Sequence, residues 1–137
     1  MKMSLLSSGK HKGLASFALL LHRLAFGGMM LTHGIPKLMH FSELSPKFSN
    51  PIGLGSEISL GLTIFSEVLC AILVMLGLGT RIAAFVVIVE MVVIVSLVHV
   101  HSPFATKELA FLYMTAFTVI LFAGAGSVSF DKLISKK

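Results

Sequence analysis

Four apolar runs, each close to the length of a bilayer crossing and each ended by a polar break, leave this chain very few folds. They occupy residues about 14–38, 58–78, 82–101 and 108–125. A helix needs roughly 20 apolar residues to cross the hydrocarbon layer, so each run suffices, or nearly so, for one span. Apolar residues follow one another instead of alternating, which excludes a membrane β-barrel. The first run does not read as a secretory leader, because His22 and Arg23 interrupt it and no small-x-small cleavage site follows. Composition agrees: 55% hydrophobic residues, 12% charged and a mean hydropathy of +0.95 are too apolar for a surface covered by water. The expected fold is all-α, an antiparallel bundle of four transmembrane helices with lipid as its main partner.

The breaks set the connections. Gly79-Thr80-Arg81 forces a tight hairpin between the second and third runs, and Ser102-Pro103-Phe104 turns the third into the fourth. The segment FSELSPKFSNPIGLGS, rich in Pro, Gly and Ser, is expected to lie at the surface and fold over a helix end. The chain divides into a basic N-terminus (1–13), the four-helix domain (14–125) and a basic C-terminus (126–137). An even number of spans puts both termini and the 79–81 hairpin on one side, with Lys2, Lys10, Lys12, Arg81, Lys132, Lys136 and Lys137. The other side holds Lys37, Lys47 and Lys107. Seven against three places both termini in the cytoplasm. The basic residues do not cluster with aromatics, so no nucleic acid is expected. The single Cys70 rules out an internal disulfide and a CxxC pair, and reads as a small buried hydrophobe.

Three charges stand inside the runs. At about 1.5 Å rise per residue Arg23, Glu67 and Glu90 all fall near the bilayer midplane. Unpaired, each would cost several kcal/mol, so they are expected to face the interior and meet as one polar network. One arginine cannot neutralise two carboxylates pairwise, which leaves Glu90 as the surplus acid. At 100° per residue Arg23, Gly27, Met30, Gly34 and Lys37 share a face of the first helix. Glu90 and His101 share a face of the third, and His99 points away. The polar line therefore ends in an outer layer of His33, Lys37, His101 and Glu108, the candidate ligand-binding residues. In LTHGIPKLMH, Pro36 removes a backbone donor and crowds the carbonyl of Thr32, so the helix is expected to kink or stop near His33 and Gly34. The bland reading stands beside this one: Arg23 with Glu67 as a structural ion pair, and the histidines as ordinary interface residues.

Three stretches carry a resemblance. RLAFGGMMLTHGIPKL (23–38), EVLCAILVMLGLGTRIAA (67–84) and KELAFLYMTAFTVILFAGAGSVSFD (107–131) are similar, in content and order, to the DoxX family of small bacterial four-helix membrane proteins. Ala125 stands where a proline is common, and Glu90 lies outside the pattern. The resemblance implies a bacterial inner-membrane protein tied to redox or sulfur metabolism, the family being named for components associated with thiosulfate:quinone oxidoreductase. The first functional expectation is therefore a membrane subunit of a quinone-linked redox system, with a quinone held near His33, Lys37, His101 and the buried carboxylates. Other redox-complex subunits or a second copy of the chain would be its protein partners. No metal or haem is expected. The alternative is a scaffold without catalysis that recruits soluble redox enzymes, and whether the chain is part of an enzyme stays open at this point.

Overall fold

A computed structural model describes residues 12–135. All regular elements among them are helical: α1 (Lys12–Met39), a one-turn α2 (Phe41–Leu44), α3 (Ser56–Leu76), α4 (Thr80–Val98), α5 (Phe104–Ala123) and a short α6 (Phe130–Ile134). Helices α1, α3, α4 and α5 are each long and apolar enough to cross a membrane. Lys2, Lys10, Lys136 and Lys137 fall outside the described residues.

The bundle is apolar on its outside. Ile82, Phe85, Leu112 and Phe122 are each more than half exposed, an arrangement that only a hydrocarbon solvent tolerates on this scale. Inside, small residues let the helices approach closely, with Ala71, Ala83, Ala84 and Ala116 buried beside Val74, Val87, Phe117 and Ile120. One close approach of helix backbones is at Gly34 of α1. A Cβ there would lie 2.8 Å from the Glu67 Cβ and 2.9 Å from the Glu67 carbonyl carbon, so only glycine lets α1 and α3 touch at this level.

Three features shape the two ends. The start of α1, the α3–α4 hairpin and the C-terminal segment share one end, joined by Ser127 N–H to Ser16 Oγ (3.4 Å) and Asp131 N–H to the Gly77 carbonyl (2.8 Å). Residues 40–55 cover the opposite, distal end. There Asn50 Oδ1 accepts from Gly55 N–H (2.9 Å), fixing the entry to α3. Pro36 does not stop α1, which continues to Met39. The proline sits in the last turn, where it removes the helical donor of the Thr32 carbonyl but few later turns depend on it, and the His40 N–H still bonds the Pro36 carbonyl (3.0 Å).

Candidate functional site

Sequence spacing groups Arg23 with Glu67 and Glu90, and the structure separates them. Arg23 is fully buried, but its guanidinium turns toward the end that carries the termini. Nη1 donates to the Ala125 carbonyl, and Nη2 to those of Val128 (2.9 Å) and Met75 (3.4 Å); Nε has no partner. Glu67 packs against Gly34, which lies eleven residues along α1 from Arg23, about 16 Å of helix. The physical reason is competition for the guanidinium. The chain leaving α5 exposes carbonyls with no helical partner, and a planar five-donor fork covers several of them at once.

The final segment completes this clamp. Asp131 accepts from Gly79 N–H (2.8 Å), Thr80 N–H (3.0 Å) and Thr80 Oγ1–H (2.7 Å), capping the first turn of α4. Gly77 ends α3 with φ +72°, and a Cβ on it would lie 2.5 Å from the Ser129 Cβ and 2.9 Å from Arg23 Nη1. The residues Gly124, Gly126, Ser129 and Asp131 of the resemblance are thus a structural end plate. Burial pushes the Asp131 carboxyl up, but the bonds from Thr80 and Gly79 and the charge of Arg23 outweigh it, leaving Asp131 below the ordinary carboxylate range. A depressed value means that the stabilisation is complete above the unfolded carboxylate pKa of about 4 and disappears as pH falls through the folded value. Asp131→Asn is therefore expected to lower the melting temperature in detergent at pH 7, by a cap's worth of about 1–2 kcal/mol. The gap between variant and wild type should close as the pH is taken below about 4; a constant gap would contradict the assignment.

Glu67 and Glu90 lie well inside the bundle and share the wall of a cavity of about 430 Å³ with Lys37, Ser66 and His99. Lys37 Nζ donates to Glu67 Oε2 at 2.5 Å, with Glu67 buried and Lys37 three-quarters so. The partner of Glu67 is thus the lysine of LTHGIPKLMH. Both carboxyl oxygens of Glu90 are buried without a hydrogen bond of good geometry, and the Ser66 hydroxyl, likewise unpaired, stands beside them. Ser49, Ser59 and Thr63 add hydroxyls, and the rest of the wall is apolar. Leu62, Phe65, Val89 and Val98 line it and are also more than a third exposed on the lipid-facing surface between α3 and α4. Phe48, Pro51 and Ile52 of the 40–55 loop close it from above.

A second cavity, of about 220 Å³, lies on the other side of Glu67. Met30 and His33 of α1, Met91 of α4 and Thr106 and Tyr113 of α5 line it, and it shares Glu67, Ile94 and His99 with the first. The His33 ring meets Tyr113 edge-on, with centroids 5.7 Å apart. His101 and Glu108 are exposed and line neither cavity. The expected outer layer is therefore divided in the structure: Lys37 lines the first cavity and His33 the second, His99 lines both, and His101 and Glu108 line neither.

Wide helical turns explain why His99 lines the cavities and His101 does not. α3 is π-helical at Phe65–Cys70, around Glu67, and α4 at Ile94–Val98, just before His99. A π turn advances fewer degrees per residue than an α turn, so a wheel drawn at 100° misplaces everything beyond it. Such turns concentrate at functional sites. Ser66, which the sequence reading passed over, turns inward beside Glu67 in the same π stretch. His22, read as an interface residue, bonds across to the Ala116 carbonyl through Nε2 (2.9 Å) and stacks on Phe26.

The arrangement is a lipid-accessible apolar chamber with a cation, a hydroxyl, an imidazole and an unsatisfied carboxyl at its inner wall. It suits an amphiphile with a small polar ring and an apolar tail. Comparison with known proteins adds the family. A protein of Haemophilus influenzae (strain Rd), described only as uncharacterized, is 32% identical over 122 residues, covering 84% of this chain and 89% of its own length. No solved structure matches. The DoxX family model matches residues 18–100, which include Arg23, Lys37, Glu67, Glu90 and His99, and the chain belongs to the DoxX family.

Proposed function

We propose that the protein is a multi-pass component of the bacterial inner membrane, with both termini cytoplasmic, whose larger cavity holds a quinone headgroup for a sulfur- or stress-linked redox assembly. The single observation that carries the reading is Glu90, whose two carboxyl oxygens lie buried and unpartnered in the wall of a mainly apolar cavity. A buried polar group without a partner is costly, and it persists where a ligand satisfies it. The cavity volume lies within the range of small-molecule sites, about 300–1,000 Å³. The tail of a quinone suits the opening between Leu62, Phe65, Val89 and Val98. A quinone supplies two-electron, two-proton chemistry when bound, with the electrons exchanged through a partner subunit. This chain's residues bind the ring and handle protons at the Glu90, Glu67 and His99 side chains.

Charge supports the orientation. Among the described residues Lys12, Arg23, Arg81 and Lys132 lie toward one end and Lys37, Lys47 and Lys107 toward the other, an excess that favours the cytoplasm at the former. The scaffold reading draws on the end clamp, which makes Arg23 structural, but it leaves Glu90 unexplained.

The test is ligand recovery. Protein extracted from native membranes should carry a quinone detectable by mass spectrometry, and added quinone should raise its melting temperature. Glu90→Leu should weaken that binding by about tenfold, the loss of one hydrogen bond between the carboxyl group and the ring. Finding no quinone and no quinone-dependent stabilisation sinks the reading.

A further inference from the structure

The two cavities differ in what they touch. The larger one faces lipid, whereas the smaller one lies between α1, α4 and α5 and reaches His33 and Thr106, both exposed toward the distal end. Glu67, Ile94 and His99 form the partition between them. In the other direction, toward the termini, the interior is closed. Val74, Ala84, Val87, Phe117 and Ile120 are all at 0% exposure and form an apolar plug between the carboxylates and the Arg23 clamp. A chamber of about 220 Å³ has room for several waters at about 30 Å³ each. The side chains of His33, Glu67, His99, Thr106 and Tyr113 give those waters the polar partners they need. The plug offers none.

We infer that the smaller cavity is an aqueous port, through which protons and small ions reach Glu67 and Glu90 from the distal face only. The groups lining the route are Lys37 and His33 from α1, Ser66 and Glu67 from α3, Glu90 and His99 from α4, and Tyr113 from α5. Cys70 sits in the plug below them, buried in the core. The port itself stands on the cavities alone. Combined with the proposed cytoplasmic termini and quinone site, it means that protons exchanged with the bound ring come from, or leave to, the outside.

Thiol labelling tests it without any quinone. In a Cys70→Ala background, Ile94→Cys puts a thiol in the partition and Val87→Cys puts one in the plug. A charged, membrane-impermeant methanethiosulfonate is added to either side of membrane vesicles, the side of the termini being identified by a C-terminal tag. The expected result is modification of Ile94→Cys from the distal side only and no modification of Val87→Cys from either side. Adding Thr106→Trp to fill the port should slow the Ile94→Cys reaction by about tenfold or more, a barrier higher by about 1.4 kcal/mol. Thr106→Leu is the milder substitute if the tryptophan prevents folding. Modification from the side of the termini, absence of modification, or a rate indifferent to filling the port each overturns the inference. A protein that lacks quinone but labels from one side only would keep the port and discard the quinone.

Discussion

Arg23→Ala is expected to lower the melting temperature in detergent by about 10–20 °C, or to prevent accumulation in the membrane, an effect of about 3–5 kcal/mol. The side chain is fully buried and holds carbonyls from two separate segments, Met75 at the end of α3 and Ala125 and Val128 beyond α5. Deleting it leaves these acceptors short of a donor in a region that water enters poorly, and it opens a void the size of the guanidinium and its stem. Arg23→Lys should recover little, because one ammonium cannot span acceptors that a planar fork reaches together. Wild-type stability in Arg23→Lys would refute the clamp. The quinone shift of whatever protein folds should survive, since Arg23 touches neither cavity.

Gly34→Leu is expected to act at the other level of the bundle. Its side chain would enter space already held by the Glu67 Cβ, the Glu67 carbonyl carbon and a Val68 methyl, 2.7 to 2.9 Å from an added Cβ. Two of these atoms are backbone or next to it, so no rotamer change relieves the contact, and α1 must move away from α3. Overpacking of this kind costs about 1–3 kcal/mol and exceeds the gain of about 1 kcal/mol in helix propensity from replacing glycine. The displacement also pulls Lys37 from Glu67, so ligand-dependent stabilisation should disappear even where the variant accumulates. Gly61→Ala, at a helical position with no atom within 4 Å of the added carbon, is the matched control and should be neutral or stabilising. Equal thermal and ligand responses in the two variants would show that the α1–α3 contact does not position the site.

How far the sequence reaches differs from residue to residue. Four spans, the hairpin at Gly79 and the loop over the distal end follow from hydropathy and turn chemistry, which are local. Glu67 and Glu90 are legible as interior groups because a carboxylate in an apolar run has nowhere else to go. Arg23 obeys the same rule, yet its depth is set by the stagger of α1 against the chain leaving α5, and no local pattern encodes stagger. The three carbonyls it grips carry no side-chain signature at all. His99 and Ser66 are hidden for a different reason: the π stretches change the angular step, and the wheel that finds Lys37 correctly in a plain α-helix then selects His101 over His99. Asp131 is visible only as the last letter of a glycine-rich motif, since its partners Gly79 and Thr80 stand 52 and 51 residues away.

The wide sequence separation of the Arg23 contacts also bears on how the protein is made. A ribosome delivers residue 23 about a hundred residues before the carbonyls of Ala125 and Val128 exist. Until α3 emerges with the Met75 carbonyl, the guanidinium can be satisfied only by water, lipid phosphate or the insertion machinery, and through α4 and α5 it has that one acceptor. Closure of this clamp therefore waits for the segment beyond α5, and a bundle lacking that segment is left with a buried cation short of two of its acceptors.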